Sequence, residues 1–217
     1  MVYLVICSVF LLLSLPPEIG RIELREANLL LAFLVVQIVA VTYLSSAIAS
    51  SELAIEGEKG LPDLVISAFS PRVIAVGKAQ SSAIYAAYLL AATLPLLVLA
   101  AALRGGRMAP IAWAGVLTLL VATGAGIWGA WLAGRFTSDF TRSFVHWVAL
   151  AGVFAGTAAL PTPWSGLAPI RAIDEIVRGG WSPWLFVPFG LYALIAAAGA
   201  VLIRAHVRAL RDHEAGA

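Results

Sequence analysis

The chain has 217 residues, of which 61% are hydrophobic and 12% charged, with a net charge of +2 and a mean hydropathy of +0.95. Soluble domains run at about 45–50% apolar and about 25% charged, so this composition is that of an integral membrane protein. The small net charge gives no footing for nucleic-acid binding, and the single cysteine, Cys7, allows neither an intramolecular disulfide nor a cysteine metal cluster.

A bilayer core needs about 20 apolar residues as a helix. Stretches free of Asp, Glu, Lys and Arg occur at 1–17, 27–51, 79–103, 108–134, 143–170 and 179–203. Each holds one span, so the expected fold is all-α: a single transmembrane domain over 1–217 with six transmembrane helices. Span one covers 2–17 and ends at Pro16-Pro17. It reads as a span rather than a signal peptide, because no basic segment precedes it and Leu15-Pro16-Pro17-Glu18 is a poor cleavage site. Span two covers 27–49, and a charged segment over 52–78 follows it.

Within that segment, Gly57 and Gly60 are expected to end any helix continuing from span two. Pro62 and Asp63 suit the first turn of a new short helix, and Leu61, Leu64, Val65, Ala68 and Phe69 give it an apolar face. Ser70-Pro71 repeats the signal, Ser70 as N-cap and Pro71 as first helical residue, and Lys78 marks the membrane entry.

Span three covers 79–102, with Pro95 in its outer half, and span four covers 109–133. Gly124, Gly126 and Gly129 spell a nucleotide-binding glycine pattern, but inside a span they predict close helix packing, as do Gly152 and Gly156 in span five, 143–160. Pro169 opens a short amphipathic outer helix, with Ile170, Ile173, Ile176 and Val177 on one face and Gly179-Gly180 at its end. It reads as a surface-lying connector or as a cover for the outer mouth of a pathway, and Trp164, Trp181 and Trp184 suit a headgroup-level belt. Span six covers 184–204.

With both termini inside, eight basic residues (Lys59, Arg72, Lys78, Arg135, Arg142, Arg204, Arg208 and Arg211) face six outside (Arg21, Arg25, Arg104, Arg107, Arg171 and Arg178). The basic excess favours cytoplasmic termini.

The run Glu56-Gly57-Glu58-Lys59-Gly60-Leu61-Pro62-Asp63-Leu64, then Ser70-Pro71, Gly77-Lys78 and Leu94-Pro95-Leu96, resembles the first cytoplasmic loop and third span of ABC-2 type transporter permeases. It departs from the family pattern at Leu61, where a threonine is usual, and the amphipathic elbow that usually precedes span one is absent or truncated. The resemblance implies a coupling helix between spans two and three that docks on a separate ATP-hydrolysing subunit. It also implies a permease dimer in a prokaryotic inner membrane, an exporter, with ATP and magnesium held by the partner. The residues it implicates in the ATPase contact are Glu56, Glu58, Lys59, Gly60, Asp63 and Arg72.

The chain itself lacks a phosphate-binding loop: before Gly77-Lys78 the position of the first glycine is Arg72, and Ala79 follows the lysine. Catalysis needs convergent ionisable groups, and none is evident. His146 reads as an interfacial or packing residue, His206 and His213 as solvated, and Asp139 as balanced between Arg135 and Arg142. Polarity within the spans is limited to groups such as Gln37, Thr42, Tyr85, Tyr88, Thr118, Thr123 and Thr157. An ion-coupled carrier and a non-transporting membrane scaffold remain the alternatives. The first is disfavoured by spans without Asp, Glu, Lys or Arg.

Overall fold

The computed structural model describes residues 26–59, 70–103, 108–136, 138–161, 164–179 and 185–215. Every element among them is helical. They are α1 (Glu26–Lys59), α2 (Pro71–Leu103), α3 (Ala109–Arg135), α4 (Asp139–Ala151), α5 (Pro169–Arg178) and α6 (Phe186–Ala215). A π turn at Gly152–Gly156 extends α4, and a 3-10 turn at Trp164–Leu167 precedes α5. Span one falls outside the described residues.

Four helical stretches are long and apolar enough to cross a membrane: Leu30–Ser51, Arg72–Leu99, Ala109–Leu132 and Phe186–Ala209. They correspond to spans two, three, four and six. The stretch standing where span five is expected, Ser143–Gly156, is shorter. At 1.5 Å per residue it reaches about 21 Å, against a core of about 30 Å.

Two helix boundaries follow from local chemistry, one as expected and one not. At the start of α2 the Val73 amide donates to the Ser70 carbonyl at 2.9 Å and to Ser70 Oγ at a long 3.4 Å. Ser70 thus caps the helix and Pro71 opens it, where a missing N–H costs nothing. The membrane-length stretch consequently begins at Arg72, seven residues before the expected 79, because Val73, Ile74 and Val76 are already apolar and already helical.

At the end of α1, Gly57 does not stop the helix, which runs on to Lys59. One glycine costs a helix only about 1 kcal/mol, and Glu56, Glu58 and Lys59 around it are good helix formers.

The centre of the bundle is α3, which packs against α1, α2 and α6. Small residues let the backbones close. A Cβ added to Gly126 would lie 2.7 Å from Ser82 Oγ, and one added to Gly129 would meet the Ser46 carbonyl oxygen at 2.7 Å. These contacts are the helix packing expected of that glycine series.

The parallel expectation for Gly152 and Gly156 is not met. A Cβ added to either would meet no atom of the described residues within 4 Å, and both lie in the π turn, whose wider winding sets α4 apart from a regular packed helix. Val153 O accepts the Thr157 hydroxyl within that turn.

The α5 helix begins at Pro169 and ends at Gly179 with φ 78°, a left-handed terminus that suits glycine. It does not lie loosely on the surface. Ala172, Ile173, Ile176 and Val177 join the main core with Leu30 and Phe33 of α1 and Ile111 of α3. The helix therefore covers the end of the bundle at which α1 and α3 begin.

Outward faces are apolar. Ile84 and Tyr88 of α2 are 67% and 72% exposed, and Leu194 of α6 is 70% exposed. Tyr88 thus belongs to the outer surface rather than to the buried polarity. Apolar side chains on the outside of a helix bundle are at home against lipid tails, and the chain has the character of a membrane protein.

Candidate functional site

Two regions carry features that packing alone does not explain. The first is the charged end of the α1–α2 hairpin. Glu56, Glu58 and Lys59 occupy the last turns of α1, past the membrane-length stretch that closes at Ser51. Gly60 and Asp63, with the short helix expected after Pro62, fall outside the described residues. Arg72 is exposed in the first turn of α2.

The α1–α2 packing is antiparallel. Gln37 Nε2 donates to Thr93 Oγ1 at 2.7 Å, and eight residues along α1 Ser45 Oγ donates to the Ser82 carbonyl at 3.3 Å. Continuing that register sets Glu56 about level with Arg72. Four of the six residues picked out by the resemblance therefore gather at one end of the hairpin. The other two belong to the segment that joins its arms.

The second region lies inside the bundle, where α4 stands off from its neighbours. A cavity of about 420 Å³ lies between α3, α4 and α6. Val121, Ala125, Trp128, Trp131 and Leu132 supply one wall, Tyr192 and Ile195 a second, and Val145, Ala149 and Val153 a third. Its volume falls within the range of about 300–1,000 Å³ that ligand pockets occupy.

Polar tips in the wall are spent elsewhere. Trp128 Nε1 donates to the Ile195 carbonyl at 3.2 Å, and the Tyr192 hydroxyl donates to the Leu167 carbonyl at 3.2 Å. Trp128 and Trp131 meet edge to face with centroids 5.4 Å apart, and the Arg135 guanidinium sits 5.7 Å from the Trp131 centroid. The aromatic corner is thereby held in place.

Two cavity-lining residues are exceptions to that economy. His146 is 8% exposed and Thr42 is fully buried. Neither His146 Nε2 nor Thr42 Oγ1 has a hydrogen-bond partner.

The hydrogen-bond geometry bears on the tautomer of the histidine ring. Ser46 Oγ donates its one proton to the Ala125 carbonyl at 2.8 Å. The 3.0 Å contact between Ser46 Oγ and His146 Nδ1 therefore needs Nδ1–H as donor. In the neutral ring, Nε2 then carries a lone pair and acts only as an acceptor.

Among the described residues no group of three or more His, Cys, Asp or Glu side chains could hold a metal ion.

His146 is thus a buried residue held between helices by its contact with Ser46. The Tyr43 and Trp147 rings stack beside it at 4.7 Å. His146 also borders a second, smaller cavity of about 80 Å³ with Ser50 and Ser143. Sequence reasoning missed the joining of Ser46, Ala125 and His146. The available signal was the coincidence of Ser45-Ser46, Gly126-x-x-Gly129 and a lone histidine in three apolar runs. Comparison with protein-family models, with curated proteins and with solved structures finds no match to this chain.

Proposed function

We propose that the chain is the membrane-spanning permease subunit of an ATP-driven transporter of the ABC-2 type, working as a dimer and coupled to separate ATPase subunits through residues 52–78. The observation that carries this reading is the distribution of charge. None of the four membrane-length stretches, nor the shorter Ser143–Gly156, contains an Asp or Glu. Carriers driven by protons or sodium hold such carboxylates within their spans.

The energy for movement then enters from outside the membrane, at a charged end of the bundle. The hairpin end with Glu56, Glu58, Lys59 and Arg72 is the strongest candidate. The α1 helix supports the coupling role mechanically, because it carries that charge on the same continuous rod that forms the core with α3. Six spans, cytoplasmic termini, an inner-membrane location and export belong to the same proposal.

Purification in mild detergent from the native host tests it. The expected result is a complex with a protein bearing the G-x-x-x-x-G-K-[ST] motif, lost when Glu58 and Asp63 are both replaced by lysine. Isolation of the intact chain without such a partner, together with transport driven by an ion gradient, would overturn it.

A further inference from the structure

We infer that the cavity between α3, α4 and α6 is a binding site for a neutral, largely apolar molecule bearing a hydroxyl or N–H group, which donates to Nε2 of His146. The proposal does not depend on ATP coupling. It rests on three features of one place.

The first is the cavity itself, about 420 Å³ with walls of aliphatic and aromatic side chains. No Asp, Glu, Lys or Arg lines it, so a charged occupant would be left without a counter-charge.

The second is a pair of unpartnered polar atoms, His146 Nε2 and Thr42 Oγ1; the third such atom among the described residues, Ser82 Oγ, lies away from the cavity. Buried polar groups are otherwise almost always paired. Both orphans belong to residues lining this cavity, and the polar tips of Trp128 and Tyr192 beside them are committed to carbonyls. Because Ser46 holds the ring as the Nδ1–H tautomer, the unused nitrogen is an acceptor. It calls for a donor. The Thr42 hydroxyl can donate to, or accept from, a second polar group on the same molecule.

The third is the π turn, which includes the lining residue Val153. Such turns concentrate at functional sites. Here a Cβ added to Gly152 or Gly156 would meet no atom of the described residues within 4 Å. The His146 Nε2 atom lies just below the cavity surface, so its ring edge must turn toward an occupant for the two to meet. A bilayer acyl chain would fill the space but would leave both orphans unpaired, and a charged solute would find no partner. A hydroxylated or N–H-bearing lipid-soluble compound satisfies both conditions.

The test uses the full chain in phosphatidylcholine nanodiscs with two probes of the same shape, 2-naphthol and naphthalene. Saturable binding of 2-naphthol is expected, tighter than naphthalene by about three- to tenfold, the worth of one neutral hydrogen bond. His146→Phe should erase that preference, and Ala149→Trp should abolish saturable binding of both. On the unmodified chain, 15N-histidine NMR should show the Nε2 resonance of His146 shifting on addition of 2-naphthol and not of naphthalene. This readout needs no variant to fold. Equal affinity for the two probes, uptake that never saturates, or an unmoved Nε2 resonance would overturn the assignment.

Discussion

At the scale of single residues, close approach and hydrogen-bond direction decide what the bundle tolerates. Gly129 faces backbone: an added Cβ meets the Ser46 carbonyl oxygen at 2.7 Å. Backbone in a packed helix cannot swing aside, so Gly129→Ala is expected to cost about 1–3 kcal/mol through overpacking. A Cβ added to Gly115, on the same helix, meets no atom of the described residues within 4 Å, and Gly115→Ala is expected to gain up to about 1 kcal/mol in helix propensity. Thermal unfolding in detergent separates the two, and equal shifts would contradict the contact.

Ser46→Ala should also destabilise, by about 1–3 kcal/mol, because it strands the His146 Nδ1–H inside the bundle. The Gln37–Thr93 bond at 2.7 Å is a smaller matter. A double-mutant cycle with Gln37→Leu and Thr93→Val is expected to give a coupling of about 0.6 kcal/mol, the usual size between membrane helices. The close packing at Gly126 and Gly129 was legible from sequence, but the same reading does not hold at Gly152 and Gly156, since small residues permit close approach without saying which helix makes it. The histidine pairing was not legible, because a hundred positions separate Ser46 from His146 and no local pattern joins them.

At the scale of elements, the capping signals served well and the breaking signals less so. Ser70-Pro71 opens α2 and Gly179 closes α5, in each case because a specific backbone need meets the one residue type that fills it. Gly57 was different: a glycine permits a break but does not impose one, and the surrounding charged residues favour helix. The consequence is mechanical. If α1 carries force as a rod, Gly57→Ala should preserve co-purification of the ATPase, while Gly57→Pro, which breaks the rod, should abolish it.

The α5 helix shows the limit of amphipathic patterns. Its apolar stripe was visible in the sequence, but a stripe does not say whether lipid or protein covers it. Core burial of Ile173, at 0% exposure, answers that. Ile173→Ala is accordingly expected to cost about 2–5 kcal/mol, as for a core isoleucine. A change of a few tenths, measured by unfolding, would mean that the helix rests on the bilayer instead.

At the scale of the whole molecule, composition told the solvent and hydropathy told four of the spanning helices, since both report a property of the chain averaged over many residues. The cavity escaped sequence reasoning for the opposite reason. It lies between α3, α4 and α6, where Trp128, His146 and Tyr192 come together from three separate helices. The account that unites the two regions is a membrane subunit without intramembrane carboxylates. On the proposed reading it would receive force at the 52–78 end, and it holds an apolar cavity between α3, α4 and α6.

The contact between that end and an ATPase is the central claim. It is tested most directly by placing a photo-crosslinker on Glu58→Cys, in a chain whose Cys7 is replaced by alanine, and irradiating native membranes. The account predicts one covalent adduct whose partner, identified by mass spectrometry, carries the G-x-x-x-x-G-K-[ST] motif, with a yield that changes on adding ATP. Adducts to lipid alone, or to the same proteins captured from a crosslinker placed at Gly105 in the opposite loop, would contradict it.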